Sequence, residues 1–248
     1  HSFIKDKILD NYSLLGKKAV FNGDSILELP YNWGKQLCDY CEMKYVNYAI
    51  GGSTLSVWGN EGEQPRDRTP MIERYSEMAD EADLVVISIG SNDWRYSWAP
   101  MGEDLPVAPT QEEVEKAKKT FKGSLHLLIR GLNEKYPDKK IIFCTPIKRN
   151  DETVSTLNPV NSFNLTLADY AEAIKNVCGQ YGILVIDMFN ECPLNPAFDN
   201  QQSMFFDGSR NAEVGYKNLY NDRTHPNYFG AKVQARCAMG YFKNIFIE

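Results

Sequence analysis

The longest apolar run of the chain is Leu84-Val85-Val86-Ile87-Ser88-Ile89, and a polar segment, Gly90-Ser91-Asn92-Asp93, follows it directly. Nearly unbroken apolar runs of this length are typical of strands buried on both faces of a parallel sheet. Four further runs are predicted to be strands: Ala19 to Asn22, Tyr45 to Ala49, Ile141 to Cys144 and Ile183 to Ile186. Helical patterns lie between the runs, so the sequence predicts an α/β fold with a five-stranded parallel sheet.

The composition is ordinary for a globular protein with a sizeable core, since 43% of the 248 residues are hydrophobic and 24% are charged. A formal net charge of -6 argues against nucleic-acid and anionic-membrane partners, because both need a dense basic footprint. No apolar run approaches the roughly 20 residues that cross a bilayer. We find no repeat or linker, so residues 1–248 are predicted to form a single domain.

The compartment and the oligomeric state stay open. The chain begins His1-Ser2, and the charged residues that follow do not form the apolar core of a signal peptide. Because a leader can already have been removed, both the cytoplasm and secretion remain compatible with the sequence.

Three helices have clear sequence marks. Thr110-x-x-Glu113 and Thr166-x-x-Asp169 are capping boxes. After the first box, apolar residues at spacings of three and four predict one helix that reaches Leu132. A final helix is predicted after Pro226-Asn227.

Two stretches, residues 93–109 and 190–221, are predicted to be long irregular loops. Each follows a predicted strand, so both should emerge at the carboxyl end of the sheet, where open α/β sheets bind ligands.

Six cysteines are present, and Cys38-x-x-Cys41 is the one closely spaced pair. A zinc site would need a second ligand pair, and a reactive thiolate would favour a helix N-terminus. The pair instead falls late in a predicted helix, so we predict buried free thiols and no metal site.

His225 is the strongest candidate for a catalytic group, because the chain has only three histidines. Hydrolases that work near neutral pH usually move protons through an imidazole. His1 is at the chain end and His126 falls inside a helical pattern, whereas His225 lies in a polar loop. Asp222 is three residues earlier, a spacing that lets one turn bring its carboxylate to the imidazole.

Ser25 is the candidate nucleophile, because it follows the first strand in Asn22-Gly23-Asp24-Ser25. A strand-to-helix turn can expose the serine Oγ and aim a backbone N–H at a developing oxyanion. The tripeptide Gly23-Asp24-Ser25 fits equally well a simple turn in which Ser25 caps a helix.

Two more segments could supply donors to an oxyanion. The pair Gly51-Gly52 follows the second strand and would let the backbone approach a ligand closely. Asn92, after the third strand, could donate from its side-chain amide. Taken alone, the first segment fits a loop with positive φ, and Ser91-Asn92-Asp93 fits an Asx-turn.

The chain resembles the SGNH hydrolases, also called GDSL esterases/lipases, in four blocks: Gly23-Asp24-Ser25, Gly52, Gly90-x-Asn92-Asp93 and Asp222-x-x-His225-Pro226. Each block is weakly specific, but all four in the family's order at successive strand ends are strongly specific. The resemblance implies a flavodoxin-like three-layer α/β/α sandwich with a five-stranded parallel sheet. It also implies hydrolysis of carboxylic esters without a metal or cofactor.

By the same resemblance, Ser25 would be the nucleophile, His225 the general base and Asp222 the acid that orients it. The oxyanion hole would consist of the backbone N–H groups of Ser25 and Gly52 and the side chain of Asn92.

Two other functions are compatible with parts of the sequence. The fold could carry a catalytically silent carbohydrate- or lipid-binding module, since a fold does not determine a function. A flavodoxin-type nucleotide or flavin binder would need a phosphate-cradling loop after the first strand. Asp24 and Glu28 lie in that segment instead, and phosphates would be repelled by them.

The predicted substrate is a small ester with a short acyl group, acetyl in the first place, on a carbohydrate-like alcohol. Trp94, Tyr96 and Trp98 follow the Asn92 block and could stack on a sugar ring if they are exposed. Together with Asp24 they are the candidate substrate-binding residues, although packing within the loop explains the three aromatic side chains equally well.

Overall fold

Five parallel strands form one sheet in the order β2-β1-β3-β4-β5 in the computed structural model, which describes residues 14–57, 70–150 and 159–242. The strands are β1 Lys18–Gly23, β2 Lys44–Asn47, β3 Leu84–Ser88, β4 Lys140–Cys144 and β5 Leu184–Ile186. All five predicted strands are present, and their ends differ from the predicted ones by at most two residues. The strand order is that of flavodoxin-like doubly wound sheets, so the predicted fold class is confirmed.

Within these ranges the α-helices are α1 Ser25–Glu28, α2 Trp33–Cys41, α3 Met71–Arg74, α4 Ser91–Tyr96, α5 Gln111–Ala117, α6 Phe121–Lys135, α7 Leu167–Gln180, α8 Met188–Glu191, α9 Asp199–Phe205 and α10 Tyr228–Phe242. Short 3-10 helices cover Tyr75–Glu77 and Gly208–Val214. No helix in the described ranges is long and apolar enough to span a membrane.

Neighbouring residues of the central strands point to opposite faces of the sheet. Val20 of β1 packs into a buried cluster with α6 and α7, to which Leu125 belongs. Phe21 packs into a second cluster with α2 and α10, to which Leu37 belongs. The sheet is therefore the middle layer of an α/β/α sandwich, held on each side by burial of apolar surface.

The two edge strands are less buried than the sequence predicted. Each residue of β2 is half-buried or exposed, and Leu184 of β5 is 42% exposed. The second strand ends two residues earlier than predicted, at Asn47, whose side chain donates to Leu27 O at 2.8 Å and accepts from Ala49 N at 3.0 Å.

The prediction of a single helix after Thr110 is wrong, because the structure has two helices there, α5 and α6. The capping box at Thr110 forms as predicted. A second cap at Thr120 starts α6, where its Oγ1 accepts from Gly123 N at 3.2 Å. Phe121 N also donates to Pro100 O at 2.9 Å, so a tertiary contact sets the new helix start.

The stretches 93–109 and 190–221 were predicted to be irregular loops, but each contains helical residues. The first begins inside α4, and the second contains α9 and the 3-10 helix Gly208–Val214. Asp207 starts that 3-10 helix by accepting from Ser209 N at 2.9 Å. Both stretches follow the carboxyl ends of their strands, β3 and β5, as the sequence predicted.

All six cysteines are free thiols, as predicted. Burial raises the pKa of Cys41 to about 11 and of Cys178 to about 12. It also raises the pKa of Cys38 well above its usual range. The Cys38-x-x-Cys41 pair is therefore protonated at neutral pH and packs as part of the core of α2.

Candidate active site

Ser25 is the first residue of α1, directly after β1. The turn before it is tight, since a Cβ on Gly23 would lie 2.6 Å from Ser88 O and 2.8 Å from Leu27 Cδ1. Asp24 caps α1, because its Oδ1 accepts from Ile26 N at 3.0 Å. The interpretation of Ser25 as the helix cap is therefore wrong, and its hydroxyl is directed elsewhere.

The Ser25 hydroxyl contacts His225, although the two residues are 200 positions apart. His225 Nε2 lies 2.8 Å from Ser25 Oγ, and His225 Nδ1 lies 2.7 Å from Asp222 Oδ2. The structure thus brings the three predicted residues into one hydrogen-bonded line, with the imidazole in the middle. This is the geometry of a nucleophile, a base and a group that orients the base.

A compact turn holds Asp222 in place. Its Oδ1 accepts from His225 N at 2.7 Å and from Thr224 N at 2.8 Å, which leaves Oδ2 for the ring. Burial alone would raise the pKa of Asp222, but the hydrogen bonds from the His225 ring and these backbone N–H groups outweigh it. The pKa of Asp222 is therefore lowered, and the carboxylate is ionised near neutral pH.

Tyr220 covers one face of the His225 imidazole, a contact that the sequence analysis missed. The two ring centroids are 4.0 Å apart with an interplanar angle of 18°. Gly208 makes the contact possible, since a Cβ there would lie 1.6 Å from Tyr220 O. An aromatic residue two positions before Asp222 is not a pattern that predicts stacking, because the path of the loop decides it.

The segments that carry the candidate oxyanion donors are Ser25 itself, the loop with Gly51 and Gly52, and α4 with Asn92. Gly52 has φ +75°, and its neighbour Gly51 is so close that a Cβ on it would lie 3.5 Å from Ser25 Cβ. Asn92 is buried and donates through Nδ2 to Ser53 O at 3.0 Å, which fixes its amide plane and leaves a second N–H on the same nitrogen. In the described ranges, no hydrogen bond involves the backbone N–H of Ser25 or of Gly52.

Asp93 ties the oxyanion segments together. Its carboxylate accepts from Leu55 N at 3.0 Å and from Ser56 N at 3.3 Å, and so fastens the chain after Gly52 to the helix that carries Asn92. Asp93 belongs to the block Gly90-x-Asn92-Asp93, but no role was predicted for its side chain. Its position next to Asn92 was the one feature of the sequence that pointed to a role in this site.

Arg74 is a buried cation beneath the same loops. It donates to Tyr48 O at 2.8 Å and to Ser53 Oγ at 2.8 Å, and also to Asn22 Oδ1 at 3.1 Å. These bonds join the end of β1 to the segment that carries Gly52. Arg74 lies outside the four blocks, and no pattern in the sequence marked it.

The ionisation of Asp93 gives a prediction for stability. Burial raises its pKa to about 7 against the lowering effect of its backbone donors, compared with about 3.9 for an unfolded aspartate. Between these values the folded state holds the proton and the unfolded state does not. Relative to Asp93→Asn, the wild type should therefore lose stability as pH rises from about 4 to about 7, by up to about 1.4 kcal/mol per unit.

Urea unfolding of both proteins at several pH values measures this difference. A gap in unfolding free energy that stays constant from pH 4.5 to 7.5 would contradict the prediction. Asp138→Asn, at an exposed carboxyl on the amino side of β4, is the matched control.

The candidate substrate-binding residues are placed differently from one another. Trp94 is only 4% exposed and donates from Nε1 to Leu165 O at 3.2 Å. Stacking on a sugar ring would require an exposed side chain, so Trp94 is not available for it. Tyr96 and Trp98 stack on each other with centroids 4.3 Å apart, and Tyr96 is 42% exposed. Asp24 is buried, and its Oδ1 caps α1.

His126 does not belong to this site. His126 is buried inside α6, with Nδ1 2.8 Å from the Tyr181 hydroxyl. His1 lies outside the described residues. In the described ranges, no group of three or more His, Cys, Asp or Glu side chains could hold a metal ion.

A model of the GDSL-like Lipase/Acylhydrolase family matches residues 21–233. The match spans most of the chain, and the protein belongs to this family. Membership supports ester hydrolysis as the general class of reaction. A search of curated proteins found no match.

Several solved structures share the fold. A protein from Lactobacillus plantarum is 20% identical with a TM-score of 0.73, over 94% of this chain and 99% of that one. A "possible lipase" from Chitinophaga pinensis is 20% identical with a TM-score of 0.61, over 94% and 100%. A candidate GDSL-like lipase from Bacteroides ovatus is 16% identical with a TM-score of 0.60, over 92% and 98%. At these identities the likeness shows the fold alone.

Proposed function

We propose that the protein is a serine esterase that acts through Ser25, His225 and Asp222 and removes short acyl groups, acetyl in the first place, from a carbohydrate-like alcohol. The observation that carries the proposal is the pair of contacts at His225, 2.8 Å to Ser25 Oγ and 2.7 Å to Asp222 Oδ2. Both distances are within hydrogen-bond reach, as a nucleophile and its base require.

The proposed reaction has two halves. Ser25 Oγ attacks the ester carbonyl while His225 Nε2 takes the hydroxyl proton, and Asp222 stabilises the resulting imidazolium through Nδ1. His225 then gives the proton to the leaving alcohol, which leaves an acyl group on Ser25. Water, deprotonated by His225, attacks this acyl-enzyme, and the acid departs as Ser25 recovers its proton.

The negative charge on the carbonyl oxygen would be met by three donors, the N–H groups of Ser25 and Gly52 and the amide of Asn92. Their arrangement is prepared in advance, because Asn92 is held by Ser53 O and the loops are fastened by Asp93. Donors that do not have to reorganise stabilise the transition state more than the bound ester.

Loss of the Asn92 donor is expected to reduce turnover strongly. Asn92→Ala should lower kcat by about 10²–10³ with a much smaller change in KM, the effect of removing one oxyanion donor. Steady-state kinetics on p-nitrophenyl acetate measure both constants. Asn133→Ala, at an exposed position on α6, is the control, and an equal loss in kcat there, or a loss only in KM at Asn92, would contradict the assignment.

The stacked ring of Tyr220 is expected to help hold the imidazole in line. Tyr220→Phe keeps an aromatic face and should retain kcat, whereas Tyr220→Ala should lower kcat by about 2- to 10-fold, as expected from the worth of one aromatic contact. If both variants lose kcat equally, the stacking is not what matters. Circular dichroism of each variant separates this effect from loss of fold.

Two observations support this substrate, one for the acyl group and one for the alcohol. The Glu28 carboxylate borders Gly51 beside Ser25, since a Cβ on Gly51 would lie 2.3 Å from Glu28 Oε2. A charged group at this position is an unfavourable neighbour for a long alkyl chain. On the alcohol side, Tyr96 is the exposed last residue of α4, and together with its stacked partner Trp98 it offers an aromatic surface for a sugar ring.

Hydrolysis of p-nitrophenyl esters from acetate to octanoate tests the acyl preference. We expect the largest kcat/KM for acetate and a steady fall with chain length. A maximum at octanoate would contradict the short acyl site. Absence of turnover on every ester would favour the catalytically silent binding module instead.

A further inference from the structure

A small cavity lies beside the candidate active site, at the carboxyl end of β4. Its volume is 230 Å³, less than the about 300 Å³ at the lower end of small-molecule pockets, so it suits a substituent of a ligand better than a whole ligand. The residues that line it are Trp94, Lys148, Arg149, Pro159, Leu167, Phe189 and Asn195. Two of these carry a positive charge, and no acidic residue is among the described residues that form the wall.

Arg149 connects the cavity to the oxyanion segment. Its Nη1 donates to Ser91 Oγ at 2.9 Å, and Ser91 is buried and directly precedes Asn92. The guanidinium carbon lies 5.6 Å from the centre of the Trp94 ring. The position of this cation is therefore set by α4, the helix that carries the Asn92 donor.

The same loop is also joined to the segment of the general base. Asn150 N donates to Arg223 O at 3.0 Å, within the turn from Asp222 to His225. Arg149 and its neighbour Asn150 thus contact the Asn92 segment and the His225 segment, respectively. Because His225 delivers the proton to the leaving group, this side of the site is where the alcohol would extend.

Lys148 is held on the opposite wall. Its ammonium group donates to Phe189 O and lies 5.0 Å from the centre of the Phe189 ring. An ammonium has three donors, so this bond leaves two for a ligand. Half-buried cations beside aromatic and apolar side chains bind anions more strongly than cations in open water do.

We propose that this cavity binds an anionic substituent, a carboxylate or a phosphate, on the alcohol part of the substrate, through Lys148. The proposal rests on the proposed esterase function and narrows its substrate to acylated alcohols that are also acids. An acetyl group carries no charge, so the anion has to belong to the alcohol. The net charge of -6 repels anions in general, and a localised pair of cations is what such a substrate would need.

The test compares three matched substrates, the same monoacetyl ester of glucose, of glucuronate and of glucose 6-phosphate, by acetate release. We expect a larger kcat/KM for at least one acid than for glucose, and the preferred acid identifies the anion as carboxylate or phosphate. Raising the salt concentration should reduce this preference, because salt screens the charges. Equal kcat/KM for all three esters would overturn the proposal.

Lys148→Gln should lower the ratio of kcat/KM between the preferred acid and glucose by about tenfold, as expected for the loss of one charged hydrogen bond. Lys44→Gln, an exposed lysine at the amino end of the sheet, removes the same charge far from the cavity and is the control. An unchanged ratio in Lys148→Gln, or an equal fall in Lys44→Gln, would overturn the assignment to this cavity.

Binding to Ser25→Ala keeps the two proposals distinguishable. Calorimetric titration with glucuronate and with glucose 6-phosphate should show binding that weakens when Lys148→Gln is added. If neither anion binds while neutral esters are hydrolysed, the anion site is wrong and the esterase stands. If an anion binds through Lys148 while no ester is hydrolysed, the anion site stands and the esterase is wrong.

Discussion

Replacing Ser25 by alanine is expected to lower kcat on p-nitrophenyl acetate by on the order of 10⁶, the loss seen when the nucleophile of a serine hydrolase is removed. The reason is that Ser25 Oγ is the atom to which the acyl group would be transferred. In the proposed mechanism His225 and Asp222 act only through this atom, so they could not compensate for its loss. Residual turnover would come from the oxyanion donors and from binding of the ester.

The fold should survive this change. Among the described contacts, the only hydrogen bond of Ser25 Oγ is the 2.8 Å bond to His225 Nε2. The cap of α1 is Asp24 and not Ser25. Thermal unfolding should therefore differ little from that of the wild type. Ser203→Ala, at an exposed position on α9, is the matched control and should keep full activity. A Ser25→Ala protein that is folded and still hydrolyses the ester within about tenfold of the wild-type rate would contradict the mechanism.

Asp222→Asn is expected to lower kcat by about 10⁴, because it leaves the imidazole in the wrong tautomer. The Asp222 Oδ1 accepts from two backbone N–H groups, of His225 and Thr224, so the asparagine oxygen would keep that place. Its amide nitrogen would then face His225 Nδ1 and donate to it. The proton of a neutral imidazole would move to Nε2, where it blocks acceptance of the Ser25 proton.

Asp199→Asn is the control for this variant, because Asp199 is an exposed carboxylate that pairs with Arg223 Nη2 at 3.0 Å in the same loop. An exposed pair of this kind contributes at most about 1 kcal/mol, so its loss should leave kcat nearly unchanged. Equal losses in the two variants would mean that loop stability, and not the imidazole tautomer, sets the rate.

The lowered pKa of Asp222 also predicts the direction of a pH effect on stability. Its folded pKa is below the unfolded value of about 3.9, so its stabilising contribution is present above that value. The contribution is lost only as pH falls through the lower folded pKa. In acid unfolding, Asp222→Asn should therefore lack the loss of unfolding free energy that the wild type shows as Asp222 becomes protonated.

The strands and the capping boxes could be predicted from the sequence because their determinants are local. The run Leu84 to Ile89 is apolar on both faces, and Thr166 lies three residues from its capping partner Asp169. The hydrogen-bonded group of Ser25, His225 and Asp222 could be predicted from two short motifs. One follows β1 and the other precedes α10, and the topology of a parallel sheet restricts where these ends can lie. The 200-residue separation of Ser25 and His225 is closed by the fold, not by local spacing.

The features that were missed depend on tertiary paths. The exposure of Trp94 could not be decided from the sequence, and it is α4 that turns its side chain inward to Leu165 O. The break before Phe121 is set partly by a bond to Pro100 O from another segment. The Tyr220 stack depends on how closely the chain passes Gly208. No pattern within a few residues specifies such contacts.

Identification of the residue that forms a covalent adduct tests the central claim most directly. After inactivation by a fluorophosphonate, which transfers its phosphonyl group to an activated serine, intact-mass and peptide mass spectrometry locate the added group. We expect one adduct per chain, on the peptide that contains Ser25, formed in step with the loss of esterase activity and absent from Ser25→Ala. Complete labelling of Ser25 without loss of ester hydrolysis, or inactivation by an adduct on another residue, would contradict it.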